Sequence, residues 1–203
     1  MADPLFYSLW FPNFRLPMLP EKLIQVMMQL PEPLVTAAST YPLDWQQAST
    51  FQHIYSTPDT YPAGAVLPEQ AVEESTELLH EDGAYEFEVP WKLWYPDTDG
   101  LFDPVWREEL RLMRVVGFGP LFDAGAFEQN GQIRVELGPD APFLWEEVDL
   151  DEEGQQHVKQ NVERLIEFTT AIERNCGVET RLLWTESDES LAQKLIARLQ
   201  KLN

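Results

Sequence analysis

Glu86 and Glu88 stand two residues apart in the run YEFEVPWKLWYP (85–96). In an extended strand, residues i and i+2 share a face and lie about 7 Å apart, so the two carboxylates point the same way. Paired carboxyl groups at such a separation can carry out acid–base hydrolysis, in which one holds a proton and the other stays ionised. Trp94 lies further along the same face and would offer a flat ring for stacking. Alternating carboxylates are also the ordinary outcome on the solvated side of a half-buried strand. A carboxylate-dependent hydrolase using Glu86 and Glu88 is therefore kept as the alternative function.

A second acidic pattern points to binding. Between Lys22 and Lys92 there is no Lys or Arg, while eleven carboxylates fall inside that span, and the whole chain carries a formal charge of −21. Glu69, Glu73, Glu77 and Glu81 recur every fourth residue. On one helix, each like-charged neighbour pair costs a few tenths of a kcal/mol. A basic partner would relieve that repulsion, as would Arg107, Arg111 or Arg114 folded back from the second half. The expected function is a non-catalytic acidic interaction module, of inhibitor or immunity-like type, that engages a basic protein through Glu69, Glu73, Glu77, Glu81 and Trp94. A merely solubilising acidic face is the bland counterpart.

Other chemistries lack their residues. His53, His80 and His157 are scattered, without the i, i+4 spacing of a zinc-binding helix. DLDEEG (149–154) imitates the start of a calcium loop, but Gln160 stands where the bidentate glutamate belongs. Its carboxylates suit the capping of a following helix instead. DTDG (97–100) reads as a turn. Cys176, the single cysteine, sits at a helix end with only Arg174 nearby, which favours a buried packing role over a nucleophile. No G-x-S-x-G, phosphate-binding glycine loop or dinucleotide fingerprint occurs. Neither a metal nor a cofactor is expected. The charge repels nucleic acid and anionic lipid, and no run of roughly 18 apolar residues marks a membrane span. A cytoplasmic location is expected.

The elements that must position these residues follow from periodicity. LFYSLWF (5–11) lies between prolines as a strand, and EKLIQVMMQL (21–30) places Leu23, Val26, Met27 and Leu30 on one helical face. LVTAASTY (34–41) and TFQHIYS (50–56) read as strands, and Pro68 to Gly83 as a helix. Alternation over 85–95 puts Tyr85, Phe87, Val89, Trp91, Leu93 and Tyr95 on a core face, with Pro90 marking an edge or bulge. The order β-α-β-β-α-β is that of a ferredoxin-like unit.

Beyond residue 100, the spacing predicts a short helix capped by Asp103-Pro104, a strand over 112–118, a hairpin at Asn130-Gly131 and sheet structure in APFLWEEVDL (141–150). A long helix from Asp151 to Gly177, a strand at 178–184 and a helix from Ser187 to Leu202 complete the chain. The expectation is an α+β protein of antiparallel sheets covered by helices, made of two ferredoxin-like (βαββαβ) units, 1–100 and 101–203. The second would be degenerate with an extra C-terminal helix, and one continuous domain is the alternative.

Overall fold

A computed structural model of the protein describes residues 3–42, 49, 51–97, 105–145, 150–186, 194–196 and 200. Its strands are β1 (Pro4–Trp10), β2 (Ala37–Pro42), β3 (Phe51–Ile54), β4 (Gly83–Asp97), β5 (Val105–Phe118), β6 (Ile133–Pro139) and β7 (Thr180–Thr185). The helices are α1 (Leu19–Met27), α2 (Pro68–Ser75), α3 (Phe127–Asn130), α4 (Ala141–Leu144) and α5 (Glu152–Asn175). All seven strands join one antiparallel sheet in the order β3-β2-β4-β5-β6-β1-β7. The protein is α+β.

One face of the sheet is covered by helices. Tyr85, Phe87, Val89, Trp91 and Leu93 of β4 are buried, together with Met113 and Val115 of β5, Ile133 and Val135 of β6, and Leu5, Tyr7 and Leu9 of β1. Against them pack Leu19, Leu23, Val26 and Met27 of α1, Ala71 and Val72 of α2, and Val162, Leu165, Phe168 and Ile172 of α5. The 3.6-residue stripes of the helices thus meet the two-residue alternation of the strands. At Gly117 the approach of α1 is so close that a Cβ would lie 2.7 Å from a methyl of Leu19. On the opposite face the segment 119–130 lies at one end, where Phe122 closes over Ala84, Val116 and Phe118.

β4 is the spine of this arrangement. It pairs with β5 from Ala84↔Phe118 to Asp97↔Val105, but with β2 only from Pro42↔Gly83 to Ala37↔Glu88. Among the described residues, no strand lies beside one edge of β4 beyond Glu88, and Pro90, which has no N–H to donate, sits on that stretch. Asn161 of α5, fully buried, fills the gap as a surrogate strand: the Trp94 N–H donates to its Oδ1 at 2.9 Å, and its Nδ2 donates to the Trp94 carbonyl at 2.9 Å. Its Nδ2 also reaches the Pro142 carbonyl at 3.0 Å. One turn on, Arg164 donates to the Lys92 carbonyl at 2.8 Å.

Several expectations need correction. The ferredoxin-like double unit is not confirmed: β1 pairs with β6 and β7, and no strand of the first half lies beside it. The predicted helix after Asp103-Pro104, two residues outside the described set, is contradicted from Val105 onward by strand β5, which finds a partner on β4 at every position. Asn130-Gly131 is the end of α3 and not a hairpin turn. Gly131 has φ +92 and lies so near β1 that a Cβ would be 2.8 Å from the Leu9 nitrogen, which is why glycine stands there.

In APFLWEEVDL, Ala141–Leu144 form a helical turn that buries Phe143 and Leu144, while 146–149 lie outside the described residues. α2 ends at Ser75 and not at Gly83. The hydroxyls of Ser75 and Thr76 donate back to the Ala71 and Val72 carbonyls at 2.7 and 2.6 Å, competing for the acceptors a longer helix needs. Of the C-terminal helix, only 194–196 and 200 fall within the described residues, and they are helical.

Two sets of substitutions test this frame by chemical denaturation. Phe87→Ala and Trp91→Ala should each cost about 3 to 5 kcal/mol, and Trp94→Ala clearly less, because Trp94 points away from the main core. Equal losses at Trp91 and Trp94 would refute the alternation. Asn161→Leu keeps volume but leaves the Trp94 N–H and carbonyl without partners in a buried place, so a loss of about 3 kcal/mol is expected, at about 1 to 3 kcal/mol per orphaned group. A loss below about 1 kcal/mol would show that water satisfies that edge instead.

Candidate functional site

Sheet register brings side chains from distant parts of the chain into lateral rows on the uncovered face. One row runs Ala37, Glu88, Arg114, Glu136, Phe6, Trp184, and the next runs Ser39, Glu86, Val116, Arg134, Ser8, Leu182. Opposite charges alternate across these strands and pair. Glu136 accepts from Arg134 Nη2 at 2.7 Å and faces Arg114 Nη1 at 3.5 Å. The Arg134 guanidinium also lies 5.2 and 5.3 Å from the ring centres of Phe6 and Phe118, and Phe6 stacks on Trp184 at 4.6 Å. A cation resting on aromatic faces gains from the ring quadrupole.

Beside this network the face dips into a groove of about 540 Å³ over β3, β2, β4 and β5. Glu86 and Glu88 line it with Arg114; Ile54, Pro90 and Leu112 give apolar walls, and Ser56, Thr57, Tyr41 and Tyr61 supply hydroxyls. The groove exists because β2 stops at Ala37↔Glu88 while β4 and β5 run on, leaving a step that the 56–61 loop walls off. Glu86 is only 7% exposed. Burial pushes its carboxyl pKa up, the Arg114 charge pulls it down, the charges of Glu136 and Glu88 raise it again, and a hydrogen bond with Tyr41 lowers it. Among the described residues, neither Glu86 nor Glu88 makes an ion pair.

The remaining predicted residues lie elsewhere. Glu69 and Glu73 are exposed on α2, but Glu77 and Glu81 fall after its end, so no single helix carries the four. Glu74 is the engaged carboxylate of α2: it accepts from Tyr55 at 2.6 Å and faces His53 Nδ1 at 3.5 Å, and the hydrogen bonds from Tyr55 and Gln70 lower its pKa. Trp94 does not adjoin the carboxylate pair. It lies six residues beyond Glu88, about 20 Å along the strand, where its ring packs at a tilt against His157 of α5, centroids 4.0 Å apart, with Trp106 5.4 Å from the same imidazole.

His53 is half exposed and stacks on Tyr55 at 4.2 Å. His80 lies beyond α2 in a turn, where its backbone N–H donates to the Tyr85 hydroxyl at 2.7 Å. The Cys176 thiol is buried, which pushes its pKa up to about 11. Asp151 caps α5, accepting from the Gly154 N–H at 2.7 Å; Asp149 is outside the described residues. Among the described residues no cluster of His, Cys, Asp or Glu could hold a metal ion, and no helix is long and apolar enough to cross a membrane.

Arg134, Glu136 and Tyr41 were not legible in the sequence as neighbours of Glu86, whereas Arg114, one of three arginines expected to fold back on the acidic span, does lie beside it. Their signal was present in RVV (114–116) and IRVE (133–136), where charged residues alternate with β-branched ones, but only the register shows that these strands lie next to β4. Compared with protein-family models, with curated proteins and with solved structures, the chain matches none.

Glu86 gives a pH-dependent prediction. Its folded pKa is raised by burial, so the folded state holds this proton more tightly than the unfolded chain. Its contribution is therefore fully present below the unfolded carboxylate pKa and is lost as pH rises through the folded one. Glu86→Gln should leave the urea midpoint little changed at low pH and raise it relative to wild type at neutral pH. A variant less stable than wild type at neutral pH would mean that ionised Glu86 is stabilised where it sits.

Proposed function

We propose that the protein is a non-catalytic binding module, of inhibitor or immunity-like type, that engages a basic protein through the uncovered face of its sheet. The observation that carries this is the placement of Glu86 and Glu88, without ion-pair partners among the described residues, on a face whose apolar side chains Ile54, Leu112 and Leu182 stay exposed. Charged groups beside an uncovered apolar surface are what a docking face requires. The formal charge of −21 supplies long-range attraction for a cationic partner and repels a second copy of the chain. On this reading Glu69, Glu73, Glu77 and Glu81 contribute to the attracting field. A cytoplasmic location belongs to the same reading, supported by the free, buried Cys176.

A carboxylate-dependent hydrolase is the second reading, favoured by the raised pKa of Glu86 in a cavity shared with Glu88. Two points weigh against it. Both carboxylates project from one strand and so lie on the same side of any ligand, whereas hydrolysis needs them to flank the bond that breaks. Trp94, the stacking platform such a site would use, stands apart on His157.

The test is surface-immobilised binding of an oligo-arginine peptide at low and high salt. Wild type should bind with an association rate that falls steeply as salt rises, and Glu69→Gln/Glu73→Gln/Glu77→Gln should slow association while leaving dissociation nearly unchanged. Absence of binding at low salt would overturn the binding module. Hydrolysis of a glycoside or ester panel that disappears in Glu86→Gln would establish the second reading.

A further inference from the structure

We propose that the groove over Glu86 and Glu88 is a receptor for an arginine side chain of the partner, an inference that rests on the binding reading above. The uncovered face already shows how it holds one arginine. Arg134, its side chain only 13% exposed, pairs with Glu136 and lies against the rings of Phe6 and Phe118. The groove repeats those ingredients: carboxylates at Glu86 and Glu88, flat rings at Tyr41 and Tyr61, and an apolar wall at Leu112. Its own cation, Arg114, makes its ion pair with Glu136. Among the described residues, Glu136 takes ion pairs from both Arg114 and Arg134, and Glu86 and Glu88 take none.

Several features select arginine. A guanidinium is planar and weakly hydrated, so it enters a largely buried site at lower cost than an ammonium. Its fork of five N–H donors can bridge two carboxylates that project from i and i+2 of one strand, about 7 Å apart at the backbone. Arg114, 52% exposed and opposite Glu88 in register, lines the same groove and pairs with Glu136 at 3.5 Å, so an entering guanidinium would meet the two carboxylates that Arg114 does not pair with. The volume of about 540 Å³ exceeds that of one side chain and admits the flanking backbone of an extended segment, whose amides would meet the hydroxyls of Ser56 and Thr57.

The experiment is an NMR titration of the full chain with the blocked tripeptide Ac-Gly-Arg-Gly-NH2, with its citrulline isostere and with its lysine counterpart. The arginine peptide should shift the resonances of Glu86, Glu88 and Leu112, with an affinity on the order of millimolar for so small a ligand. The citrulline peptide should bind at least about tenfold more weakly, the lysine peptide should be intermediate, and Glu86→Gln/Glu88→Gln should lose at least about tenfold for arginine. Because Glu86→Gln is expected to be no less stable than wild type at neutral pH, that loss cannot be assigned to unfolding, and a melting curve checks it. Equal binding of citrulline, or shifts confined to other surfaces, overturns the inference. So does an oligo-arginine peptide that binds wild type and Glu86→Gln/Glu88→Gln equally well, although the binding reading would survive that result. Failure of oligo-arginine to bind wild type overturns both.

Discussion

The half-paired edge of β4 is the constraint on which the rest of the structure depends. β5 accompanies β4 from Ala84 to Asp97, but β2 leaves it at Glu88. A backbone edge buried without partners is costly, and α5 relieves it through Asn161 at Trp94 and Arg164 at Lys92. Those bonds fix where α5 crosses the sheet, and so which of its residues meet the core: Val162, Leu165 and Phe168 follow within two turns of Asn161. On the opposite face no helix among the described residues fills the same mismatch, and the step at the end of β2 becomes the groove over Glu86 and Glu88. One early strand ending thus sets both the packing of the covered face and the cavity of the open one.

Local periodicity made much of this legible. The two-residue alternation of 85–95 and the helical stripes of α1 and α5 are properties of single segments; the residues they assign to the core from Tyr85 to Leu93 are buried, but so are Glu86 and Pro90 on the other face of β4. The misreadings occurred where a local signal met a longer-range partner. Asp103-Pro104 resembles a helix start, yet the following residues gain a full ladder by pairing with β4. Asn130-Gly131 resembles a hairpin, but its glycine is required by contact with β1, more than a hundred residues away in sequence. Strand neighbours were the least legible feature, because β1 pairs with two strands from the other half of the chain.

The site divides along the same line. Glu86 and Glu88 could be named from their spacing alone, since both lie on one strand. The residues that define their chemistry come from elsewhere: Arg114 from β5, Arg134 and Glu136 from β6, Tyr41 from β2. Trp94 was placed with the carboxylates because alternation reports which face a side chain shares and says nothing of how far along the strand it lies. Its partner His157 comes from α5, brought near by the Asn161 contact one turn away.

Glu86 also sets stability against function. A carboxylate 7% exposed without an ion pair among the described residues is unfavourable when charged, and its raised pKa expresses that cost. Glutamine would occupy nearly the same volume without the charge, and an apolar residue would extend the cluster of Ala84 and Val116 nearby. Strand propensity cannot account for glutamate there, because Glu is disfavoured in strands. Solubility cannot account for it either, since a buried carboxylate adds little to a surface already rich in charge. Glu136, two strands away on the same face, shows what a carboxylate there is worth once cations reach it: it holds Arg134 against two aromatic rings and ties β5 to β6. The residual cost at Glu86 is intelligible if its cation arrives from outside the chain, so that the unfavourable charge of the free protein becomes part of the free energy of binding.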